Sequence, residues 1–95
     1  MATYKFIIHY ISPEMKYDST ITSQYSFQTY ADCANFMNRK FGSAIEKWAS
    51  CSDLKDIEVT TDNPGKKVVK LLNRLALSDR WVEVTVTYEV KEFQE

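Results

Sequence analysis

The chain has 95 residues, of which 44% are hydrophobic and 26% charged, and its formal net charge is −1. A chain of this length forms one core, and its few glycines (2) and prolines (2) exclude disordered and collagen-like proteins, so we expect one compact domain over residues 1–95. No apolar run reaches the ~18 to 20 residues of a membrane span. The N-terminus lacks signal-peptide features, and two cysteines, Cys33 and Cys51, are too few for a disulfide scaffold. These features predict a cytoplasmic protein with reduced thiols.

Two alternating segments at the N-terminus predict a β-hairpin. Residues 3–11 alternate with a period of two, as a half-buried strand does. The more apolar side consists of Tyr4, Phe6, Ile8 and Tyr10, and the other side of Lys5, Ile7, His9 and Ile11. A polar connection at residues 12–19 leads to a second alternating segment, residues 20–28, which we expect to pair with the first.

The next segment has the features of an amphipathic helix. Thr29 and Asp32 match a helix start, in which the threonine oxygen accepts a hydrogen bond from an unpaired backbone N–H. Helical spacing of apolar residues then continues to Ser50. Gly42 weakens the pattern, but the continuous apolar stripe favours one bent helix.

After a short strand at residues 57–61, two interpretations compete for residues 63–76. Pro64 and Gly65 are typical of a tight turn, which would be followed by a returning strand. Alternatively, Asn63 caps a second helix with Pro64 in its first turn. The apolar residues favour the helix, because they follow helical intervals and include doublets that a strand would place on both faces. They are Val68, Leu71, Leu72, Leu75 and Ala76.

Residues 81–91 alternate as a long strand, with a valine-rich face from Val82 to Val90. The predicted order is therefore β-β-α-β-α-β. This order predicts an α+β two-layer sandwich, with a four-stranded, mostly antiparallel or mixed sheet and two helices on one face. The opposite face of the sheet would be partly open to solvent.

The sequence contains no pattern that predicts an enzyme, a cofactor site or a metal site. His9 is the one histidine, and the strand phase separates it from the core-facing Cys33, which argues against a catalytic dyad. The acidic residues at positions 53–62 match neither a calcium loop nor a zinc site. We therefore predict no catalytic, cofactor-binding or metal-binding residues.

A basic segment gives one candidate surface. Lys66, Lys70 and Arg74 recur every four residues, so on the predicted helix they line one face, with Lys67 beside them. Such a face can bind phosphates, which makes a nucleic-acid-binding or phosphate-binding protein the alternative function. It is equally typical of the solvated side of an amphipathic helix.

The second candidate surface is the open side of the sheet. The strand phases place Ile7, His9 and Trp81 there, and apolar and aromatic groups left on a solvated face often contact a partner. We therefore predict a small non-enzymatic protein-binding module, a regulator or inhibitor of the viral or mobile-element type that occupies a surface of a host protein. Its apolar centre would be these three residues, and its charged rim Lys66, Lys70 and Arg74. A homodimer joined through this face or through an edge strand would cover the same residues.

Overall fold

The computed structural model describes residues 1–94, which form five strands and one helix in this part of the chain. In chain order these are β1 (Ala2–Ser12), β2 (Tyr17–Thr22), α1 (Tyr30–Ala49), β3 (Leu54–Asn63), β4 (Lys66–Leu75) and β5 (Arg80–Gln94). The strands form one antiparallel sheet in the order β2-β1-β5-β4-β3. Strand β5 is thus central and pairs with β1 on one side and with β4 on the other.

The predicted N-terminal hairpin and the predicted phases of β1 and β5 are confirmed, but its second strand is Tyr17–Thr22 and not residues 20–28, so the connection is shorter than the predicted 12–19. Strand β1 pairs with β2, so that Ile8 lies opposite Ile21. Phe6 is buried from the more apolar side of β1. The five inward residues of β5 are all buried: Val82, Val84, Val86, Tyr88 and Val90. Simple alternation therefore identified the core-facing side of both strands.

The first predicted helix is also confirmed. Thr29 caps α1, and its side-chain oxygen accepts a hydrogen bond of 3.1 Å from the backbone N–H of Asp32. The helix continues through Gly42 without interruption. Its inward stripe, which includes the fully buried Cys33 and Met37, packs on β1, β3 and β5. One helix thus supplies the second layer over the described sheet.

The predicted second helix is wrong, and with it the four-stranded sheet under two helices. Residues 66–75 are strand β4, which pairs with β3 and β5. In residues 1–94 strand accounts for 56% and helix for 21%, so the architecture of this part is a five-stranded antiparallel sheet covered by a single helix. Strand β3 is correspondingly longer than the predicted 57–61.

Two physical reasons explain why this segment is a strand. Asn63 pairs with Lys66, so Pro64 and Gly65 form a two-residue hairpin connection, which was the competing interpretation. The apolar doublets belong to β4, which has a neighbouring strand on each side. Both faces of β4 are partly covered, so apolar residues are accommodated on each of them. Val69 and Leu71 are buried towards α1, whereas Val68 and Leu72 are half-buried on the other face.

The turn also depends on the small size of Gly65. This glycine does not have a positive φ angle, so backbone freedom is not its role. The side chain of Tyr30 lies where a Cβ atom of residue 65 would be. The ring of Tyr30 also packs edge-on against Tyr4, at 6.0 Å between ring centroids. The absence of a side chain at Gly65 therefore lets the start of α1 close over the β3–β4 turn.

Candidate interaction surface

The side of the sheet opposite α1 is a continuous surface that no helix of the described chain covers. We call this side the open face. The strand registers place the following residues on it: Lys5, Ile7, His9, Ile11, Asp18, Lys55, Glu58, Lys66, Val68, Lys70, Leu72, Arg74, Trp81, Glu83, Thr85, Thr87, Glu89, Lys91 and Phe93. These include six Lys or Arg side chains and four Asp or Glu side chains, a net of +2 in a chain of net −1. The open face is therefore basic relative to the rest of the protein.

The three residues of the predicted apolar centre share the open face but do not form one cluster. Ile7 lies opposite Glu89 on β5, eight positions from Trp81 on the same strand. At ~3.4 Å per strand residue, Ile7 and Trp81 are separated by about 27 Å. The structure therefore brings Ile7 and His9 together near one end of the open face and leaves Trp81 near the other.

His9 and Cys33 lie in different layers of the molecule. His9 is on the open face, where its Nε2 atom is 2.6 Å from Asp18 Oδ1. Cys33 is fully buried under α1 on the other side of the sheet, and burial raises the pKa of its thiol. The imidazole and the thiol therefore cannot meet without disrupting the sheet between them.

Trp81 is the second residue of β5, and its side chain is half-buried. It lies opposite Arg74, and the Nζ atom of Lys55 is 4.2 Å from the centroid of its ring. A cation this close to an indole face is attracted by the ring's negative charge distribution. Strand β3 thus covers part of Trp81 through Lys55.

The predicted basic residues divide between the two faces of the sheet. Lys66, Lys70 and Arg74 lie together on the open face. Their spacing of four is close to one helical turn and is also an even number of strand positions, so both structures keep them on one side. Lys67 points to the α1 side and forms an ion pair with Asp62. The predicted phosphate-binding set of four therefore loses one member to the other face.

Arg74 is held by two carboxylates and a backbone contact. Its Nη2 and Nε atoms lie 2.6 and 3.0 Å from Asp53 Oδ1, and its Nη1 atom lies 3.2 Å from Asp79 Oδ1. The backbone N–H of Arg74 also donates to the carbonyl of Asp53 at 2.8 Å. Arg74 thus joins the segment before β3 to the turn before β5, which is a structural role.

Replacing Arg74 by glutamine is therefore expected to lower the melting temperature, because the anchor between these two connections is lost. In an Asp53→Asn background the same replacement should have a smaller effect, since the two side chains act as a pair. A thermal-unfolding cycle of the two single variants and the double variant measures this coupling. Additive effects would show that Arg74 does not act through Asp53.

Sequence reasoning missed a lysine cluster at the Ile7 end of the open face. Lys5 on β1 lies directly opposite Lys91 on β5, and Lys66 on β4 lies diagonal to Lys91 because it faces Glu89. Within residues 1–94 no ion pair involves Lys5 or Lys66, while Lys91 pairs with Glu89 at 3.3 Å. We call Lys5, Lys66 and Lys91 the lysine cluster.

Apolar side chains flank the lysine cluster. Ile7 follows Lys5 on the same face of β1 and is half-buried. Phe93 follows Lys91 on β5, is 40% exposed, and its ring centroid is 5.7 Å from Lys5 Nζ. The strand phases do assign Lys5 and Lys91 to the open side, but only the pairing of β1 with β5 shows that they are neighbours.

A groove lies on the α1 side of the sheet. This groove of about 460 Å³ has Ile8, Tyr10, Trp48 and Tyr88 among its lining. Lys40 and Lys47, both exposed on α1, also line it. Tyr10 and Tyr88 lie close together here, and burial, with a smaller contribution from Tyr10, raises the pKa of Tyr88 to about 12.

The acidic residues around β3 do not assemble into a metal site. In residues 1–94 no group of three or more His, Cys, Asp or Glu side chains is arranged to hold a metal ion. Asp53 is bound to Arg74 and Asp62 to Lys67, as described above. No helix in the same part of the chain combines the length and apolar character that a membrane span requires.

Comparison with known proteins gives no relative from which a function could be transferred. No protein family, curated protein or solved structure matches this chain. A function for this chain must therefore be inferred from its own surfaces, above all from the open face.

Proposed function

We propose that this protein is a non-enzymatic binding module that acts, as a regulator or inhibitor, by occupying an acidic surface of a partner protein with its open face. The lysine cluster is the observation that carries this proposal. Like charges directly opposite each other on a sheet cost ~0.2 to 1 kcal/mol, so the Lys5–Lys91 pair opposes folding slightly, and the ion pair of Lys91 with Glu89 offsets part of this repulsion. An acidic partner would remove this repulsion on binding.

The surroundings of the lysine cluster support a protein partner. Ile7 and Phe93 provide apolar area beside the ammonium groups. A protein interface combines such an apolar centre with a charged rim. Lys70 lies further along β4 and extends the basic character along the open face. His9, with its partner Asp18, borders the same end of the surface.

Charge reversal of Lys5 and Lys91 tests the proposal. The Lys5→Glu/Lys91→Glu variant keeps a like-charge pair at this position but loses the ion pair of Lys91 with Glu89, so its stability should fall modestly, while its charge on the open face is inverted. We expect it to lose capture of an acidic partner from a nuclease-treated lysate of the native source. With the purified partner, its affinity should fall at least about tenfold, and wild-type binding should weaken as salt rises.

The matched control is Lys40→Glu/Lys47→Glu, which makes the same change in charge on α1. It should bind the partner as the wild type does. Loss of binding in this control alone would assign the interaction to the groove beside α1 and overturn the proposal. If nuclease treatment removed all captured material, the nucleic-acid-binding alternative would replace it.

A further inference from the structure

The two edges of the sheet differ in how they resist pairing with another strand. The β3 edge carries Asp56, Glu58 and Asp62, and its register with β4 shifts twice. Charges and irregular pairing of this kind protect an edge strand from association. Strand β2 has neither protection, because its six residues pair with β1 without a shift, and its one charged residue, Asp18, contacts His9.

The outer edge of β2 also has its backbone groups available. Ser23, which continues the same register, donates its N–H to the carbonyl of Phe6 at 2.9 Å. Residues that bond to the neighbouring strand alternate with residues that point away from it. The N–H and C=O groups of Asp18, Thr20 and Thr22 therefore point out of the sheet.

Two apolar side chains lie on the same edge with little cover. Tyr17 and Ile21 are 51% and 52% exposed. Both point to the α1 side of the sheet, because Ile21 lies opposite the inward-facing Ile8 and Tyr17 is four residues away on the same strand. An apolar pair beside an unprotected edge is suited to strand addition.

We propose that a second copy of this chain pairs with this edge, antiparallel β2 to β2, with the two-fold axis at Ser19. In this register Tyr17 of each copy packs against Ile21 of the other, and Asp18 lies opposite Thr20, so no like charges meet. The outward-pointing groups of Asp18 and Thr20 form the hydrogen-bonded pairs. The second copy is the occupant because the exposed residues of β2 match those of an identical strand: apolar residues meet apolar residues, and the one acidic residue meets a threonine.

This dimer has a ten-stranded sheet with both helices on one side. The two-fold axis of an antiparallel strand pair is perpendicular to the sheet, so the two open faces lie together on the other side. Pairing of six residues is smaller than the ~800 Å² per partner of a standard interface. We therefore expect a weak dimer, whose population rises with protein concentration.

Cysteine cross-linking tests the register. In a Cys51→Ser background, which removes the exposed native thiol, Ser19→Cys should form an intermolecular disulfide on mild oxidation. Ser19 would face its own copy in a pair without hydrogen bonds, in which side chains are closest. The control Thr20→Cys faces Asp18 in this register and should cross-link much less. Equal cross-linking of the two variants would overturn the proposed register.

Light scattering and sedimentation test the edge itself. Ile21→Lys places a charge against the partner's apolar side chain and should raise the dissociation constant at least about tenfold. Val59→Lys is the matched control, because Val59 is an exposed apolar residue on the α1 side of the other edge strand. A monomer at every concentration, or a loss of dimer caused by Val59→Lys and not by Ile21→Lys, would overturn the proposal.

Discussion

Replacing Met37 by alanine is expected to lower the free energy of unfolding by about 3 kcal/mol. Met37 is 0% exposed and lies in the inward stripe of α1, over the sheet. Truncating a fully buried methionine costs ~2 to 5 kcal/mol, because transfer energy is lost and a cavity remains. A domain of this size is stable by ~5 to 14 kcal/mol, so the change removes a large fraction of its stability.

Urea denaturation measures this effect through the midpoint and the slope of the transition. The control is Asn35→Ala, which alters an exposed residue of the same helix and should change stability by less than about 0.5 kcal/mol. A loss of less than about 1 kcal/mol for Met37→Ala would contradict the packing of α1 on the sheet. Equal losses of stability for Met37→Ala and Asn35→Ala would also contradict this packing.

Local sequence patterns were sufficient to predict α1, β1 and β5, because the propensity and spacing signals of each, and the capping signal of α1, agree with one another. Thr29 and Asp32 identified the start of α1, because cap geometry depends on a few adjacent residues. Alternation in β1 and β5 identified their inward sides, since each strand has one face on the core. The hairpin of β1 and β2 followed from their proximity along the chain.

The segment from Lys66 to Leu75 could not be predicted from its periodicity, because its tertiary position overrides the pattern. Strand β4 lies inside the sheet, and both of its faces carry apolar residues. Such a strand loses the alternation that identifies an edge or half-exposed strand. The hairpin signal of Pro64 and Gly65 was present, but it could not be separated from a helix start by sequence alone.

The sequence predicted which side of the sheet carries the candidate site, but not which of its residues lie close together. The strand phases placed Ile7, His9 and Trp81 on the open side, where the structure has them. The distance between Ile7 and Trp81, and the position of Lys5 opposite Lys91, depend on which strands are neighbours. Strand order is set by the whole fold, so a single segment contains no signal for it.

The wild-type protein is expected to lose stability at alkaline pH through Tyr88, which is only 4% exposed. Burial raises the pKa of Tyr88 to about 12, against 10.0 for an ordinary tyrosine. Because the folded-state pKa is the higher one, the neutral phenol's contribution is complete below pH 10 and is lost as pH rises towards 12. Linkage then gives a loss of about 2 kcal/mol by pH 12 from this one group.

The control for this prediction is Tyr88→Phe, which keeps the ring in the core and removes the ionisable hydroxyl. The substitution leaves every other ionisable side chain in place and affects only the neighbouring Tyr10, so the steeper fall of stability in the wild type reports Tyr88 together with its contact to Tyr10. Urea unfolding at several pH values above 9 measures the two slopes, and tyrosinate absorbance follows the ionisation itself. Parallel slopes would mean that the Tyr88 hydroxyl is open to solvent, and the packing of Tyr10 and Phe41 around it would then be wrong.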